Sequence, residues 1–411
     1  MEPSSKRSTG EAAAPASTNA QPALKRQRRD AGGLVVYCHD DCALHETTSD
    51  GDDEHQESPA RVAAIADALQ GYATRRESEP ASREALLRVH SARYLDAVER
   101  IDTRGRLSPI LRTRLLGETD VDAAGGATPV GPGTWTAATR AAGAALSAVR
   151  DASPGSRAFV LVRPPGHHAM REGYDATAGG CGFCVLGNAA IAAADALTVE
   201  GARVAVVDFD VHHGNGTEAW AVAASSERLL YASVHLREVY EDSSLDFFPG
   251  SGAAHTPPTK STICNVPVTP NWIQPGARAR FVSAVDTISQ RLAAFQPTLL
   301  VVSAGFDALE GDAGQLNPWT PDDPDLPPDV APEVLDGVGL RPGDYGTMTR
   351  ALLDVLPEGV SVVSVIEGGY GRPDGVEGFV KTGLMDAAVA HAEALDQRRV
   401  TLGRLCPGSL V

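Results

Sequence analysis

The spacing of apolar and polar residues alternates between two periods along most of this chain. Short apolar runs of strand length recur at 35–37, 158–163, 204–210, 229–235, 298–306 and 360–366. Helical spacing separates many of them, at 58–72, 134–148, 188–197 and 277–295. Continuous apolar strands separated by helices are typical of a parallel sheet that is buried on both faces. The pattern therefore predicts an α/β fold, with a single three-layer domain around a central parallel sheet.

The two ends of the chain and one internal segment depart from this pattern. Residues 1–31 are rich in Ala, Ser, Pro and charged residues and lack periodicity, which is typical of a disordered tail. Residues 315–342 place prolines among acidic residues, which indicates a surface insertion. We therefore expect a basic N-terminal tail at 1–31, a folded domain at 32–396 that carries the insertion, and a C-terminal tail at 397–411.

The formal net charge is −17, although residues 1–30 are net positive. An acidic body argues against direct nucleic-acid binding and would suit a basic partner or serve solubility. The run Lys25–Arg29 resembles a nuclear localisation signal, so we expect the nucleus, with the cytoplasm as the alternative. No apolar run approaches the roughly 18 residues of a membrane span, so no membrane partner is expected.

The six cysteines lack the spacing of a disulfide framework, which favours a reducing compartment. Cys181 and Cys184 have the spacing of a redox motif, and a second Cys/His group spans residues 38–45. Neither group has the paired arrangement of a structural zinc site. We interpret both as isolated thiols and packing residues.

Polar clusters follow four of the predicted strands at their C-terminal ends. They are residues 163–168 (RPPGHH), 208–216 (DFDVHHGNG), 303–307 (SAGFD) and 367–370 (EGGY). Ligands of open parallel sheets bind beyond the carboxyl ends of the strands. We therefore expect the four clusters to meet in one active site.

The second cluster predicts a metal. If the strand continues through it, Asp208, Asp210 and His212 face the same side. Two carboxylates and an imidazole cannot be apolar core, because unpaired buried charges are very costly, and a divalent cation between two of them resolves the difficulty. Asp307 would supply a further ligand. The expected set is then Asp210, His212 and Asp307, with an open position for water.

The charge of this ligand set indicates which other groups the reaction needs. Two carboxylates cancel the charge of a divalent cation, so the site needs an external base, and His167 and His168 are the natural source. Asp208 could orient one imidazole. Tyr370, protonated at neutral pH, could donate a hydrogen bond to an oxyanion. The chemistry is hydrolysis of an unactivated carbonyl, most naturally an amide.

Together these residues resemble the zinc-dependent histone deacetylase family, within the superfamily that also contains arginase. The matching motifs are 163–169 (RPPGHHA), 182–184 (GFC), 208–217 (DFDVHHGNGT), 247–250 (FFPG), 303–308 (SAGFDA) and 367–370 (EGGY). Asn215 and the EGGY form fit the class II-like branch, and residues 55–61 resemble the N-terminal signature of the family. The resemblance covers roughly residues 32–395 in the right order.

The resemblance implies an arginase/deacetylase-like fold and makes 32–396 a deacetylase catalytic domain. It also implies that acetyl-lysine of histones or other proteins is hydrolysed to lysine and acetate. Asp210, His212 and Asp307 would bind zinc. His168 would be the general base and acid, with His167 held by Asp208 as its electrostatic partner, and Tyr370 would polarise the acetyl carbonyl. Chromatin regulation and co-repressor-type complexes would follow.

Further roles follow from the same resemblance. Gly182, Phe183 and Phe248 would line the tunnel around the lysine side chain, which agrees with the preference of a neutral acyl-lysine for an apolar slot. Arg61 matches a family arginine near the acetate exit. A structural potassium ion would be bound beside the zinc, by Asp208, Asp210, His212, Ser233 and Val234.

Three departures from the family pattern leave details open. Residues 311–314 are one residue short, so the gatekeeper that helps to choose the acyl substrate is not assigned. Gly187 and Asn188 stand where two polar residues are common. The rim aspartate that anchors the substrate backbone is not clearly alignable, and Asp120 and Asp122 are the candidates.

Three alternative functions compete with protein deacetylation. An acetylpolyamine amidohydrolase shares the metal site, and residues 127–135 resemble that branch too. A binuclear manganese hydrolase of the arginase type is disfavoured because Asn215 stands where a bridging carboxylate would help. A catalytically silent chromatin-interaction module would not be expected to keep every ligand and Tyr370. An Asp-His-Asp set also leaves zinc and ferrous iron open.

Overall fold

The computed structural model describes residues 33–47, 55–71, 74–104, 128–175, 177–238, 247–254, 262–324, 326–374 and 379–396. The predicted tails at 1–31 and 397–411 lie outside these residues, as do the basic run at 25–29 and the rim candidates Asp120 and Asp122. What the sequence predicts for these residues therefore stays a prediction.

A parallel sheet of eight strands is the centre of the described part of the chain. The strands are β1 (Leu34–Tyr37), β2 (Thr74–Arg76), β3 (Arg157–Val160), β4 (Val204–Asp208), β5 (Leu229–Leu236), β6 (Ile263–Val268), β7 (Leu299–Ala304) and β8 (Ser361–Ile366). Their order across the sheet is β2-β1-β3-β8-β7-β4-β5-β6, and every neighbouring pair is parallel. A short antiparallel pair, β9 (Arg372–Pro373) and β10 (Phe379–Val380), lies outside this sheet.

Helices cover the sheet in two groups. They are α1 (Pro59–Ala68), α2 (Arg83–Leu86), α3 (Ala92–Arg104), α4 (Thr134–Arg150), α5 (Asn188–Ala196), α6 (Asn215–Ala224), α7 (Ala277–Phe295), α8 (Pro342–Asp354) and α9 (Thr382–Leu395). In one group α4 packs on β3 and β8, α5 packs on β4 and β7, and the two helices pack on each other; in the other, α7 packs on β5 and β6, and α8 packs against both α7 and α9. Two short 3-10 helices, Asp40–Leu44 and Ala313–Gln315, complete the described elements. The predicted three-layer α/β architecture is confirmed.

The central strands are buried along their whole length, which explains their continuous apolar sequences. Every residue of β4, β5, β7 and β8 is buried. A strand with helices on both faces has no solvent-facing side, so it does not alternate polar and apolar residues. The few polar side chains in these strands, such as Ser303 and Ser364, are hydrogen-bonded.

Several element boundaries differ from the sequence prediction. Strand β4 ends at Asp208, two residues earlier than expected, so alternation along a strand does not bring Asp210 and His212 together. Strand β3 ends at Val160, where its partner β1 also ends. The hydrophobic pattern also missed β6, which contains Asn265 and Pro267, and it missed helices α3, α6, α8 and α9.

The proline-rich insertion at 315–342 is more than a surface excursion. Trp319, Val330 and Val338 are buried within it. The amide of Ala331 donates to the carbonyl of Trp272, 2.8 Å away, which ties the insertion to the body. Proline-rich composition indicated a surface insertion, and it did not indicate this packing.

Within the described residues, no helix combines the length and the apolar character that crossing a membrane requires.

Candidate active site

The order of the strands explains why the four polar clusters meet. Strands β3, β8, β7 and β4 are consecutive neighbours in the sheet, and each precedes one cluster. Because the strands are parallel, all four clusters leave the same edge. The structure therefore brings together the side chains that the sequence analysis selected from 163–168, 208–216, 303–307 and 367–370.

Asp210, His212 and Asp307 form the predicted metal-ligand group. One ligand atom from each lies within 4.8 Å of the others. His212 Nδ1 is 3.0 Å from Asp210 Oδ1 and 3.1 Å from Asp307 Oδ2. Among the residues that the structure describes, this is the group of His, Cys, Asp and Glu side chains close enough to share an ion.

Backbone amides, rather than strand alternation, hold the two carboxylates. The amide of His212 donates to Asp210 Oδ1 at 2.9 Å, and the amide of Gly368 donates to Asp210 Oδ2 at 2.8 Å. The amide of Val211 donates to Asp307 Oδ1 at 2.9 Å. The chain after β4 thus turns so that its amides donate to the carboxylates of Asp210 and Asp307. This turn brings the three side chains together, whereas the sequence analysis had attributed their convergence to alternation along a strand.

The electrostatics of this group fit a divalent cation. Burial and the neighbouring Asp210 raise the pKa of the Asp307 carboxyl to about 6. Burial alone would lower the pKa of His212, but the hydrogen bonds that its imidazole donates to the carboxylates of Asp210 and Asp307 raise it to about 9. Two buried carboxylates that stabilise positive charge between them, together with an imidazole nitrogen, are a suitable donor set for a divalent transition metal.

His167 lies against a carboxylate. Its Nδ1 is 3.0 Å from Asp208 Oδ2, while Asp208 Oδ1 accepts the amide of Asp210 at 3.1 Å. Burial opposes protonation, but Asp210 and Asp208 outweigh it and raise the pKa of His167 to about 10. The predicted pairing of His167 with Asp208 is present in the geometry.

His168 has a neutral partner instead. Its Nδ1 is 2.7 Å from Asn215 Oδ1, and its ring centroid is 3.9 Å from that of His167. Burial and the neighbouring imidazoles of His167 and His212 hold the pKa of His168 well below its usual range. When the Nδ1 proton is donated to Asn215, Nε2 is the nitrogen that can accept a proton.

The backbone at Tyr370 is held by the carboxylate of Asp312. The amides of Tyr370 and Gly371 donate to Asp312 Oδ2, at 2.9 and 2.7 Å. The guanidinium of Arg61 lies 5.2 Å from the centre of the tyrosine ring. Burial and the nearby Asp307 raise the pKa of Tyr370 well above its usual value, so the hydroxyl keeps its proton at neutral pH.

Arg61 is fully buried and binds the EGGY segment. Its Nε donates to the carbonyl of Gly369 at 2.7 Å, and its Nη2 donates to the carbonyl of Glu367. Its Nη1 is 3.3 Å from Glu57 Oε1, and Glu57 also forms a two-point ion pair with Arg163. The structure thus shows Arg61 fixing the segment that carries Tyr370, while its place at an acetate exit stays a prediction.

Aromatic rings surround the catalytic group. Phe248 lies 5.0 Å from the ring of His168, and Phe183 lies 5.7 Å from the ring of Tyr370. Gly182 has φ +49°, and a side chain there would collide with His168 and Phe248. These three predicted substrate-binding residues therefore lie directly beside the catalytic side chains.

The five residues of the predicted potassium site lie around the ends of β4 and β5. Asp208 is paired with Ser233 in the sheet register, and Val234 is fully buried next to it. Ser233 Oγ is 2.8 Å from His235 Nδ1. The binding of potassium by Asp208, Asp210, His212, Ser233 and Val234 stays a prediction.

Two carboxylates and one aromatic ring have supporting positions that the sequence analysis did not assign. Glu367 Oε2 accepts the amides of Gly166 and His167, at 2.7 and 3.1 Å, and Phe247 stacks on His212 with ring centres 5.1 Å apart. Asp312 holds the Tyr370 backbone. Glu367, Phe247 and Asp312 lie inside the quoted sequence motifs or close to them, and this proximity was the signal from which their supporting positions could have been predicted.

The cysteine interpretation agrees with the structure. Among the described residues, Cys181 and Cys184 are fully buried thiols that form no disulfide. The sulfur of Cys181 lies 3.1 Å from Thr128 Oγ1, and that of Cys184 accepts the amide of His168 at 3.4 Å. Cys38 and Cys42 are also buried free thiols.

Comparisons with known proteins agree with this geometry. Residues 55–382 match the histone deacetylase domain family. The chain is 34% identical over 338 residues to an uncharacterised protein of Synechocystis, which covers 80% of this chain and 92% of that protein. It is 32% identical over 306 residues to the acetylpolyamine amidohydrolase of Burkholderia pseudomallei, which covers 68% of this chain and 84% of that enzyme.

A solved structure also matches. The crystal structure of the HDA15 HD domain superposes with a TM-score of 0.65 and 25% identity, over 89% of this chain and 88% of that domain. The chain spans half the length, or less, of several histone deacetylases that it matches. The domain match, the arginase/deacetylase-like fold and the site show one relationship: this chain belongs to the histone deacetylase family of amidohydrolases.

Proposed function

We propose that this chain is a zinc-dependent lysine deacetylase that removes acetyl groups from proteins such as histones. The observation that carries the proposal is the arrangement of three features in one place. A ligand set for a divalent cation, a histidine with an available Nε2 and a protonated tyrosine lie together behind the rings of Phe183 and Phe248.

The chemistry that the ion supplies is that of a Lewis acid. When bound by Asp210, His212 and Asp307, a divalent cation polarises an amide carbonyl and makes a nearby water more acidic. Zinc is the proposed ion, with ferrous iron as the alternative, since this donor set suits both. Potassium is the proposed structural ion at Asp208 and its neighbours.

The protein side chains supply proton transfer and charge stabilisation. His168 accepts the proton of the attacking water at Nε2 and returns it to the lysine nitrogen as the C–N bond breaks. His167, paired with Asp208, keeps positive charge beside the reaction. The hydroxyl of Tyr370 donates a hydrogen bond to the carbonyl oxygen as it gains negative charge.

Two observations favour acetyl-lysine over an acetylpolyamine. The aromatic walls suit the methylenes and neutral amide of an acetyl-lysine side chain, which needs no charged partner. Selection of a polyamine cation calls for a carboxylate at the approach. Glu310, the carboxylate nearest in sequence to the short segment at 311–314, lines a cavity together with Asp336 and Arg372.

Acetylpolyamine hydrolysis is the second candidate, supported by the likeness to the Burkholderia enzyme. Comparing kcat/KM on an acetyl-lysine peptide from a histone tail and on N-acetylspermidine decides between the two. We expect at least a tenfold preference for the peptide, about 1.4 kcal/mol. A preference for the polyamine would overturn the choice of substrate.

The control is Tyr370→Phe, which removes the hydroxyl and keeps the ring. Loss of one oxyanion donor should lower kcat by roughly 10²- to 10³-fold on the preferred substrate. If metal-loaded wild-type protein hydrolyses neither substrate, the catalytically silent chromatin-interaction module becomes the better interpretation.

We further propose that the protein is located in the nucleus, with the cytoplasm as the alternative, and that it has co-repressor-type partners. Cell fractionation and affinity purification of the full chain test both.

A further inference from the structure

A chain of three side chains leads outward from His168. His168 Nδ1 is 2.7 Å from Asn215 Oδ1, and Asn215 Nδ2 donates to Asp175 Oδ2 at 2.8 Å. His168 and Asn215 are buried, whereas Asp175 is half-buried. Asp175 belongs to the loop between Ala169 and Gly180, which none of the sequence motifs includes.

The orientation of the Asn215 amide decides which nitrogen of His168 carries the proton. An amide presents an acceptor on one side and a donor on the other, and the two orientations have almost the same shape. With Oδ1 toward His168, the imidazole must donate from Nδ1 and Nε2 is free to accept. With Nδ2 toward His168, Nδ1 must accept and Nε2 carries the proton, so it cannot act as a base.

Asp175 removes this ambiguity. An ionised carboxylate can only accept hydrogen bonds, so it requires the donor end of the Asn215 amide to face it. Asp175 is itself fixed, because its Oδ1 accepts the amide of Thr177 at 2.9 Å and its backbone pairs with Gly180. The acceptor-only group is therefore held at the one position from which it can orient the amide.

We propose that Asp175 is a positioning residue for the hydrolysis. It orients the Asn215 amide so that His168 keeps its proton on Nδ1 and presents Nε2 as the base. This inference rests on the proposed hydrolytic function. Asp175 acts through Asn215 and does not itself contact the reacting atoms.

The first test is Asp175→Asn, which preserves the size of the side chain and the oxygen that caps Thr177. The new amide would present a donor to the donor of Asn215, and the mismatch is relieved only if one of the amides turns. A turned Asn215 gives the wrong tautomer of His168. We expect kcat to fall by about 10- to 100-fold while KM stays within about twofold, because proton transfer, not substrate binding, is affected.

The decisive test is reciprocal. Asn215→Asp alone places two carboxylates 2.8 Å apart, so it should also lower activity. In the double variant D175N/N215D, the amide at 175 donates to the carboxylate at 215, and a carboxylate presents an acceptor to His168 in either orientation. We expect kcat of the double variant to recover to within about fivefold of wild type.

Two results would overturn the inference. One is a D175N variant with kcat within twofold of wild type, and the other is a folded double variant whose loss equals the product of the single losses. Thermal unfolding of all variants identifies folded samples. If D175N alone does not fold, the double variant decides, because it restores the match of donor and acceptor.

A readout independent of activity separates this inference from the proposed function. In protein with isotopically labelled histidines, nitrogen NMR distinguishes the two tautomers, and His168→Gln identifies the resonances of His168. We expect an Nδ1 proton in wild type and an Nε2 proton in D175N. If wild type hydrolyses no acetylated amine, the proposed function fails, yet the tautomers still decide the role of Asp175.

Discussion

Two histidines that are largely shielded from solvent have opposite chemistry in this protein: the His212 side chain is 14% exposed, and His391 is fully buried. His212, at the edge of the sheet, lies between Asp210 and Asp307, and these carboxylates raise its pKa to about 9 against the effect of burial. His391 lies in the layer of α8 and α9, where its nitrogens meet the hydroxyls of Thr349 and Ser364 at 2.6 and 2.8 Å. Burial lowers the pKa of His391 to about 3.

The difference between the two pKa values follows from the charge of the neighbours, since the small difference in exposure cannot raise the pKa of His212 above that of a free imidazole. Around His391 the neighbours are hydroxyls and the rings of Phe159, Phe209 and Phe306. A neutral imidazole satisfies them, and the result is stable packing. At the C-terminal edge of the sheet, several carboxylates are buried close together, and their desolvation costs free energy. Such an arrangement is typical of active sites, where the charged groups are needed for function. Burial of an ionisable side chain is therefore not by itself a sign of a functional site.

The largest expected effect comes from removing charge at the sheet edge. Asp307→Asn should abolish deacetylation, by on the order of 10⁴-fold, because one cation ligand is weakened. The metal-free variant should be at least as stable as metal-free wild type, because the repulsion between Asp210 and Asp307 is removed. Activity, metal content and melting temperature in chelator test this. Retention of more than a hundredth of the activity would contradict the proposed ligand set.

The two neighbouring histidines provide the next comparison within the charged region. His168→Gln should lower kcat by on the order of 10³-fold, since the proton acceptor is lost. His167→Gln should lower it less, because His167 supplies charge rather than accepting the proton. Both proteins should bind the same amount of metal. The opposite ranking of the two variants would exchange the roles assigned to them.

The neutral region should appear in the dependence of stability on pH. The folded pKa of His391 is about 3 and the unfolded value is near 6.5, so the folded state disfavours the proton. Its contribution to stability is complete above pH 6.5 and is lost progressively as the pH falls toward 3. The loss between pH 6.5 and 5 is about 2 kcal/mol.

The matching measurement is urea unfolding of wild type and of His391→Gln between pH 5 and 7.5. The variant should be less stable at neutral pH, and its stability should fall less steeply on acidification, by up to one proton. Parallel curves for the two proteins would show that His391 does not carry the acid sensitivity.

The smallest expected effect concerns packing beside the charged region. Phe247 stacks almost parallel on His212, with 9° between the rings. Phe247→Leu should lower kcat only a few-fold, about 1 kcal/mol, because the imidazole loses one supporting face. The matched variant is Phe248→Leu, on the approach to the site. Phe248→Leu should change KM more than kcat. If both variants changed KM and kcat in the same way, Phe247 and Phe248 would not have the different roles proposed here.

The architecture and most of the active site were predictable from sequence because their signals are local. Continuous apolar runs identified the buried strands, and the motifs that follow these strands contained Asp210, His212, Asp307 and Tyr370. The parallel topology then required those motifs to meet. Neighbours in the chain were sufficient for this part of the prediction.

The remainder depended on partners that are distant in the chain. Strand β6 has no continuous apolar run, and it forms because β5 offers an edge on which its backbone can pair. Asp175 is linked to the active site through its hydrogen bond with Asn215, forty residues later. The short segment at 311–314 left the gatekeeper unassigned, and it did not reveal that Asp312 accepts the backbone amides of Tyr370 and Gly371. Such contacts have no periodicity that a sequence could display.

The position of β8 in the sheet has a consequence for the order in which the parts of the fold can form. The strand lies between β3 and β7 in the middle of the sheet, although it comes after all seven other strands in the chain. During synthesis we therefore expect the strands on the two sides of β8 to remain unjoined until residues 361–366 are available to pair with both β3 and β7. The same insertion delivers Glu367 and Tyr370, and Arg61, made about three hundred residues earlier, binds the carbonyls of that segment. We therefore expect closure of the sheet and assembly of the four polar clusters to be one late event, so that partially synthesised chains would lack the complete site.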